Sequence, residues 1–332
     1  MKLNAFKVAM PNETMSGEPS FEARLVAVRY AARDVNTYEF ARPDGAALLD
    51  VEPGAHIDVA LPNGLTRQYS LISPGPAPDR YTVAVKRDPN SRGGSRFMHD
   101  ELRVGQLVTI TGPRNNFRLR EDTAHTVLIA GGIGITPIWC MVQRLRALPA
   151  QSASWTLHYS CRTRAEAAFL GGLTQCPQVR LNFDDESGKV LDLAAVVAQA
   201  PPAAHLYCCG PTPMLAAFEQ ATANWPGEQK HVEYFTAKEA PALAGGFVVE
   251  LRRSGKEFVI PAGKSILEVL RDAGMDLSYS CEQGICGACE TRVISGVPEH
   301  RDSVLTPAEQ AANNTVMICC AGSKSERLVL DL

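Results

Sequence analysis

No apolar stretch of this sequence approaches the roughly 18 residues that a membrane-spanning helix needs, so no membrane role is expected. An excess of positive charge is also missing. Lys and Arg number 33 against 36 Asp and Glu, and a formal net charge of −3 leaves no basic footprint for nucleic acid. The first 20 residues lack a long apolar h-region, so they read as a short polar N-terminal extension rather than a secretory leader. Without a leader, ten cysteines in 332 residues point to a reducing compartment, with the cytoplasm as the expected location. Cys140, Cys161 and Cys176 lie in apolar or helical contexts and read as inert buried thiols. A complete G-x-G-x-x-G is absent, which excludes a plain Rossmann reading.

What is present is organised around Cys281-x4-Cys286-x2-Cys289, with a further pair, Cys319-Cys320, about thirty residues on. This is the plant-type [2Fe–2S] ligand pattern, in which four thiolates hold two irons. Glycines within the loop let the backbone fold round a cluster and aim N–H groups at its sulfurs. A structural zinc site would normally show two Cys-x2-Cys knuckles, and only one occurs here. The chain is too long for one ordinary core, and 45% apolar residues suffice for several, so two or three domains are expected.

Residues 21–120 carry six or so short strand patterns separated by turns such as Pro62-Asn-Gly, which suggests a small antiparallel β-barrel. Two places in it suit a phosphorylated flavin. In Arg67-Gln-Tyr69-Ser70 an arginine can clamp a phosphate, a tyrosine offers a flat face, and a serine can hydrogen-bond a ring nitrogen. Arg67 and Tyr69 share a face if the segment is a strand. Gly93-Gly94-Ser95 precedes a helix expected over 96–102, an arrangement that can receive an anion. By themselves these features are equally compatible with a solvated strand face and a plain turn.

Residues 121–236 alternate strands and helices, which predicts an α/β doubly wound parallel sheet. A buried strand, His125–Ala130, runs into Gly131-Gly132-Ile133-Gly134-Ile135-Thr136-Pro137, with a helix expected over 138–148. A strand at 205–209 ends in Cys209-Gly210-Pro211 and feeds another helix. Glycine turns at strand ends let backbone N–H groups approach a phosphate. After the strand at 155–160, Arg162 and Arg164 could receive a 2′-phosphate, whereas an acid such as Glu166 would favour NADH; both types are present.

Residues 237–245, small residues with Pro and then Gly-Gly, read as a flexible linker. Residues 246–332 combine strands with one helix that has a capping box at Ser265 and Glu268 and a glycine stop at Gly274, an α+β module. That module holds 12 acidic and 9 basic residues, the whole formal excess, which would suit docking to a basic surface. With Thr315–Cys319 read as a strand, Cys319 and Cys320 would point to opposite faces, and the residues alone do not say which one meets the cluster.

Taken together, Arg67-Gln-Tyr-Ser, Val85-Lys86-Arg-Asp, Arg92-Gly-Gly-Ser, Gly131-Gly-Ile-Gly-Ile-Thr-Pro, Cys208-Cys-Gly-Pro, the cysteine loop and the closing Leu328-Val-Leu-Asp-Leu resemble the phthalate dioxygenase reductase family, including vanillate O-demethylase reductases. The resemblance spans 21–332. It implies an FMN barrel, an NADH domain and a C-terminal β-grasp ferredoxin domain with a [2Fe–2S] cluster. For FMN it implies Arg67, Tyr69, Ser70, Val85, Lys86, Gly93, Gly94, Ser95, Thr136 and Phe235, the last as the aromatic over the ring. For NADH it implies Gly131, Gly132, Gly134, Arg162, Cys209, Gly210 and Pro211, with Thr136 and Cys209 near the reacting rings. It places the fourth ligand at Cys319, beside Cys281, Cys286 and Cys289. It differs from the family pattern at Cys320, and at Arg162-Thr163, where the family has Arg-Asp.

The expected activity is hydride transfer from NADH to FMN, then single electrons through the cluster to a separate Rieske non-haem iron oxygenase of an aromatic dioxygenase or O-demethylase system. The hydride passes directly between cofactors, so no side-chain general base is expected, and the protein is expected to act as a monomer. A cytochrome P450 or other hydroxylase is the alternative acceptor. A non-catalytic redox sensor would explain the surplus cysteines, but the sequence offers no effector or DNA-binding element to serve it.

Overall fold

A computed structural model describes residues 19–149 and 154–332. Most of the expected N-terminal extension therefore lies outside the described residues.

The first sheet has six antiparallel strands, β1 (Ser20–Ala32), β2 (Val35–Ala41), β3 (His56–Ala60), β4 (Thr66–Ser70), β5 (Tyr81–Lys86) and β6 (Leu107–Arg114), ordered β4-β3-β6-β1-β2-β5. A bridge between Leu71 and Val83 joins the two edges, so the sheet closes into a barrel. Alternation along the strands sends Leu25, Tyr38, Phe40, Ile57, Val83 and Ile110 inward to one core. The following helix spans Gly94–Asp100, two residues earlier than its expected span, because it begins inside the glycine turn.

The second sheet is wholly parallel: β7 (His125–Gly131), β8 (Trp155–Cys161), β9 (Val179–Phe183), β10 (Ala204–Cys209) and β11 (Lys230–Glu233), ordered β11-β10-β7-β8-β9. Both faces are buried. Leu128 and Ala130 pack with Ile138, Met141 and Tyr159 on one side, while Val127 and Ile129 pack with Leu206 and Phe218 on the other. The helix after β7 runs Ile135–Ala147, so it takes in Thr136 and Pro137. Strands β9 and β11 are not suggested by the sequence pattern; both are short, and β11 is only partly buried.

The third sheet is mixed: β12 (Phe247–Leu251), β13 (Glu257–Ile260), β14 (Glu290–Ser295), β16 (Thr315–Met317) and β18 (Arg327–Leu330), ordered β13-β12-β18-β14-β16, with a small ribbon of β15 (Pro298–Glu299) and β17 (Gly322–Ser323). Two helices accompany it rather than the one expected: Ile266–Asp272, started by the reciprocal Ser265–Glu268 capping box and followed by Gly274 at φ +78°, and Pro307–Ala312 beside β16, started by a second box at Thr306 and Glu309.

One expectation, a strand running through Cys319, does not hold. Strand β16 stops at Met317, and Ile318–Cys320 form a turn closed by Cys320 N–H and Ala321 N–H on the Met317 carbonyl. Strand alternation therefore does not govern the Cys319-Cys320 pair. The segment 237–245 forms no helix or strand and contacts the modules on both sides of it. Lys238 pairs with Glu219 of the second module at 2.7 Å, Glu239 with Arg301 of the third at 2.6 Å, and Ala242 N–H donates to the Cys320 carbonyl.

The glycine turns after β7 and β10 pack directly on one another. A Cβ on Gly134 would lie 2.3 Å from the Cys209 carbonyl oxygen, which is backbone and cannot swing aside. Gly134→Ala is expected to destabilise the protein by about 1–3 kcal/mol through overpacking, read from the midpoint of chemical denaturation.

Candidate functional site

Strand order reverses between β7 and β10, because β8 and β9 lie to one side of β7 and β10 and β11 to the other. Open α/β sheets bind ligands in the crevice at such a point, beyond the carboxyl ends of the strands. Gly131, Gly134 and Gly210 line this one closely: a Cβ at Gly131 would lie 2.7 Å from the Pro211 ring, and one at Gly210 3.2 Å from the Gly131 Cα. Gly132, at φ +52°, has open space above it. A pyrophosphate or nicotinamide could approach the backbone here. Thr136 is buried, and its hydroxyl donates back to the Ile133 carbonyl. Of the charged groups after β8, Arg164 is held by Glu186 in a two-pronged contact and stacks over Phe183, and Glu166 faces Lys86 at 3.8 Å. Arg162 is exposed.

Cys209 ends β10 fully buried, beside Glu233 at the end of the neighbouring β11. The two side chains are close enough for the thiol to favour the ionised carboxyl group. Burial pushes the Glu233 carboxyl up to about 8, with the thiol opposing the shift, and Oε2 has no hydrogen-bond partner. The sequence reading passed over Glu233 because it lies on an unrecognised strand, and its position beside Cys209 comes only from strand pairing.

In the barrel, Arg67 and Tyr69 share one face of β4, with Gln68 and Ser70 on the other. The Arg67 guanidinium donates to the carbonyls of Thr66 and Arg92, and its stem lies across Gly94, where a Cβ would come within 2.6 Å of Cγ. Gly93, at φ +92°, lets the chain turn into the helix, whose first N–H groups have no side-chain cap. Ser95 Oγ accepts from Asp88 N–H at 3.2 Å. This cradle of arginine, glycines and uncapped N–H groups suits a phosphate. Burial raises the Tyr69 phenol, and Ser70 is buried. Val85 is buried, with its carbonyl 2.8 Å from His99 Nε2. Phe235 stays exposed on the segment after β11.

In the third module the thiols of Cys281, Cys286, Cys289 and Cys319 are all buried. Cys281 contacts Cys286 and Cys319, and Cys289 contacts Cys319. Cys320 contacts Cys319 and packs on Gly284, where a Cβ would lie 2.5 Å from its sulfur. Glu282, Gly284 and Gly287 take positive φ, which turns the loop round the sulfurs. Gln283 N–H donates to the Cys281 sulfur at 3.3 Å and Ala288 N–H to the Cys286 sulfur at 3.5 Å. Such donors favour thiolates and tune a bound cluster. Among the described residues no three His, Cys, Asp or Glu side chains are arranged to hold a single metal ion. A two-iron cluster instead spreads its four thiolates over two metals.

The three modules meet at a cavity of about 250 Å³ lined by His56, Asn116, His231, Glu233, Ile285 and Ser303, among others. None of the residues singled out from the sequence lines it. Glu233 thus faces this cavity on one side and Cys209 on the other.

A carboxyl raised in the folded state keeps its proton where the unfolded chain has lost it. Its contribution to stability is complete below the ordinary carboxylate range and is lost as pH rises towards about 8. Denaturation midpoints across that window should therefore fall less steeply with pH in Glu233→Gln than in the parent protein.

The 2Fe-2S iron-sulfur cluster binding domain family matches residues 249–323, and the oxidoreductase FAD-binding domain family matches residues 22–119. Phenoxybenzoate dioxygenase subunit beta of Ectopseudomonas oleovorans is 51% identical, covering 93% of this chain and 96% of its own. An intact type IV self-sufficient cytochrome P450 monooxygenase superposes with a TM-score of 0.86 at 36% identity; it covers 98% of this chain, which spans only 43% of that one. The structure of phthalate dioxygenase reductase, described as modular for electron transfer from pyridine nucleotides to [2Fe–2S], matches at 39% identity and a TM-score of 0.69, covering 94% of this chain and 98% of its own. With a flavin barrel, a parallel nucleotide sheet and a [2Fe–2S] module in that order, the chain belongs to the phthalate dioxygenase reductase family of NADH-dependent oxidoreductases, whose cofactors are FMN, NADH and a [2Fe–2S] cluster.

Proposed function

We propose that this protein is the reductase component of a two-component Rieske-type aromatic-ring dioxygenase or O-demethylase, working as a cytoplasmic monomer with a separate oxygenase. The carrying observation is one chain that joins a phosphate cradle in a barrel, an open glycine turn at a sheet switch point and a cluster of four buried thiols. The 51% identity to a dioxygenase subunit supports the partner class. Residues 21–120 would hold FMN, 121–236 NADH and 246–332 the cluster, with 237–245 joining the last two.

Arg67 with Gly93, Gly94 and Ser95 holds the flavin phosphate in this reading. Tyr69, Ser70, Val85, Lys86 and Thr136 line the ring, and Phe235 covers it. Gly131, Gly132, Gly134, Arg162, Cys209, Gly210 and Pro211 receive NADH. Cys281, Cys286, Cys289 and Cys319 bind the irons. When bound, the flavin supplies the exchange of one two-electron hydride for two single electrons, which the cluster accepts one at a time. The chain's own work is to orient the rings, exclude water and supply N–H dipoles to the sulfurs. No side chain need move a proton for the hydride step. A cytochrome P450 acceptor is the second reading, favoured by the match to a self-sufficient P450.

Anaerobic NADH titration should bleach a flavin spectrum and then give a rhombic [2Fe–2S] signal in electron paramagnetic resonance; flavin bleaching with no iron signal would sink the electron-relay reading. Reconstitution with a Rieske oxygenase and with a P450 separates the two acceptors. Cys319 contacts both Cys281 and Cys289, whereas Cys320 contacts Cys319. Cys319→Ser should therefore lower bound iron and sulfide severalfold, and Cys320→Ser should leave both near parent values, as measured by iron and acid-labile sulfide assay.

A further inference from the structure

The residues that join the barrel to the cysteine loop belong to neither set of cofactor contacts. Gln68 sits on β4 between Arg67 and Tyr69 but faces the other way. Its side-chain amide donates to Asp58 Oδ1 at 2.8 Å and to the hydroxyl of Ser280, next to Cys281. Asp58 is directly opposite Gln68 in the β3–β4 pairing, and its second oxygen is held by Arg114. Both members of that ion pair are largely buried, as is Ser280. Two residues beyond Arg114, the Asn116 amide donates to the Cys286 carbonyl at 3.1 Å, and its nitrogen lies where a Cβ on Gly287 would be 3.5 Å away. The loop is thus gripped at two points, one beside its first cysteine and one at its second.

We propose that Gln68 and Asn116 are positioning residues for internal electron transfer, docking the cysteine loop on the barrel, Gln68 from the strand that carries Arg67 and Tyr69 and Asn116 from the segment after β6. A carboxylate clamped by an arginine cannot turn away, so Asp58 fixes the direction in which the Gln68 amide points. The second amide hydrogen is then aimed at Ser280. The step served moves one electron from the reduced flavin to the oxidised cluster; the flavin is oxidised by one electron, the cluster reduced by one, and no covalent bond is made or broken between them. This inference rests on the cofactor assignment proposed above.

The test uses full-length, cofactor-loaded protein and the variants Gln68→Ala, Ser280→Ala, their double and Asn116→Asp, which keeps the side-chain size but removes the donor. One hydrogen bond is worth a shift of about fivefold in the docked population. Hydrogen–deuterium exchange across 279–290 should quicken by about that factor in each variant. In stopped flow, flavin bleaching by NADH should keep its parent rate while cluster reduction slows about fivefold, so that cytochrome c reduction falls and ferricyanide reduction does not. The double should do no more than either single, because both remove the same bond. Parent-like exchange and cluster reduction would overturn the proposal. So would additive effects of Gln68→Ala and Ser280→Ala, or loss of iron from the variants, which would make these residues cluster holders. Absence of a cluster signal in the parent protein would instead overturn the electron-relay reading.

Discussion

Where β7 and β10 end, backbone lies against backbone with no space for a side chain, and the rest of the active region is arranged from that contact. Gly134 meets the Cys209 carbonyl, and Gly210 meets Gly131. At Gly134 glycine is required for close approach, not only for flexibility. Because the two strands are adjacent and their turns interlock, Cys209 ends up beside the open turn at Gly132. Alternation then separates the neighbouring cysteines: Cys208 packs with Val127 and Phe218, and Cys209 with Leu128 and Tyr159. One more strand outward, β11 brings Glu233 level with Cys209. A buried carboxyl beside a thiol follows from sheet register alone.

The junction of the three modules is unusually polar for a buried region. His56 there is held neutral, pulled down to about 4 by burial and by the Arg114 charge, with Asp58 opposing the shift. Buried polar groups cost stability unless partnered, and the charged pair of Asp58 and Arg114 meets that requirement by a direct ion pair. An apolar contact between modules could slide by an ångström at little cost. The hydrogen bonds from Gln68 to Ser280 and from Asn116 to the Cys286 carbonyl cannot, because their geometry fails over that distance. For an electron relay, a fixed separation matters more than a tight interface.

The sequence carried the local part of this structure well. Three of the buried, interacting thiols are set by short spacing within one loop, and the Ser265–Glu268 box and both glycine turns are also local signals. Glu233, Asp58, Gln68 and Asn116 were not legible, because each matters only through a partner far away in the chain. Gln68 and Ser280 are 212 residues apart, and Asn116 and Cys286 are 170. Gln68 lay inside a recognised motif, yet its neighbours drew the attention because their chemistry suits a flavin. The Cys319-Cys320 pair misled for a different reason. An apolar run resembles a strand to its last residue, whereas this one turns after Met317, so both sulfurs reach the same loop.

The segment 237–245, small in its side chains and without regular structure, still makes specific contacts with both neighbouring modules. Its small residues leave it little to bury, yet adjacent residues are tied in opposite directions, Lys238 to Glu219 and Glu239 to Arg301. These ion pairs are exposed and individually weak, and salt screens them. The carbonyl of Cys320 adds a less exposed anchor through Ala242 N–H, and Gly245 lies so close to Pro261 and Ala262 that a Cβ would come within 2.4 Å of their backbone. A strap fixed at both ends shortens the path that the third module could swing through. The loss of chain entropy is then met largely by the covalent connection, which raises the effective concentration of the cysteine loop at the barrel. On the proposal above, the Gln68 and Asn116 amides act on a loop that the chain connection already keeps near the barrel.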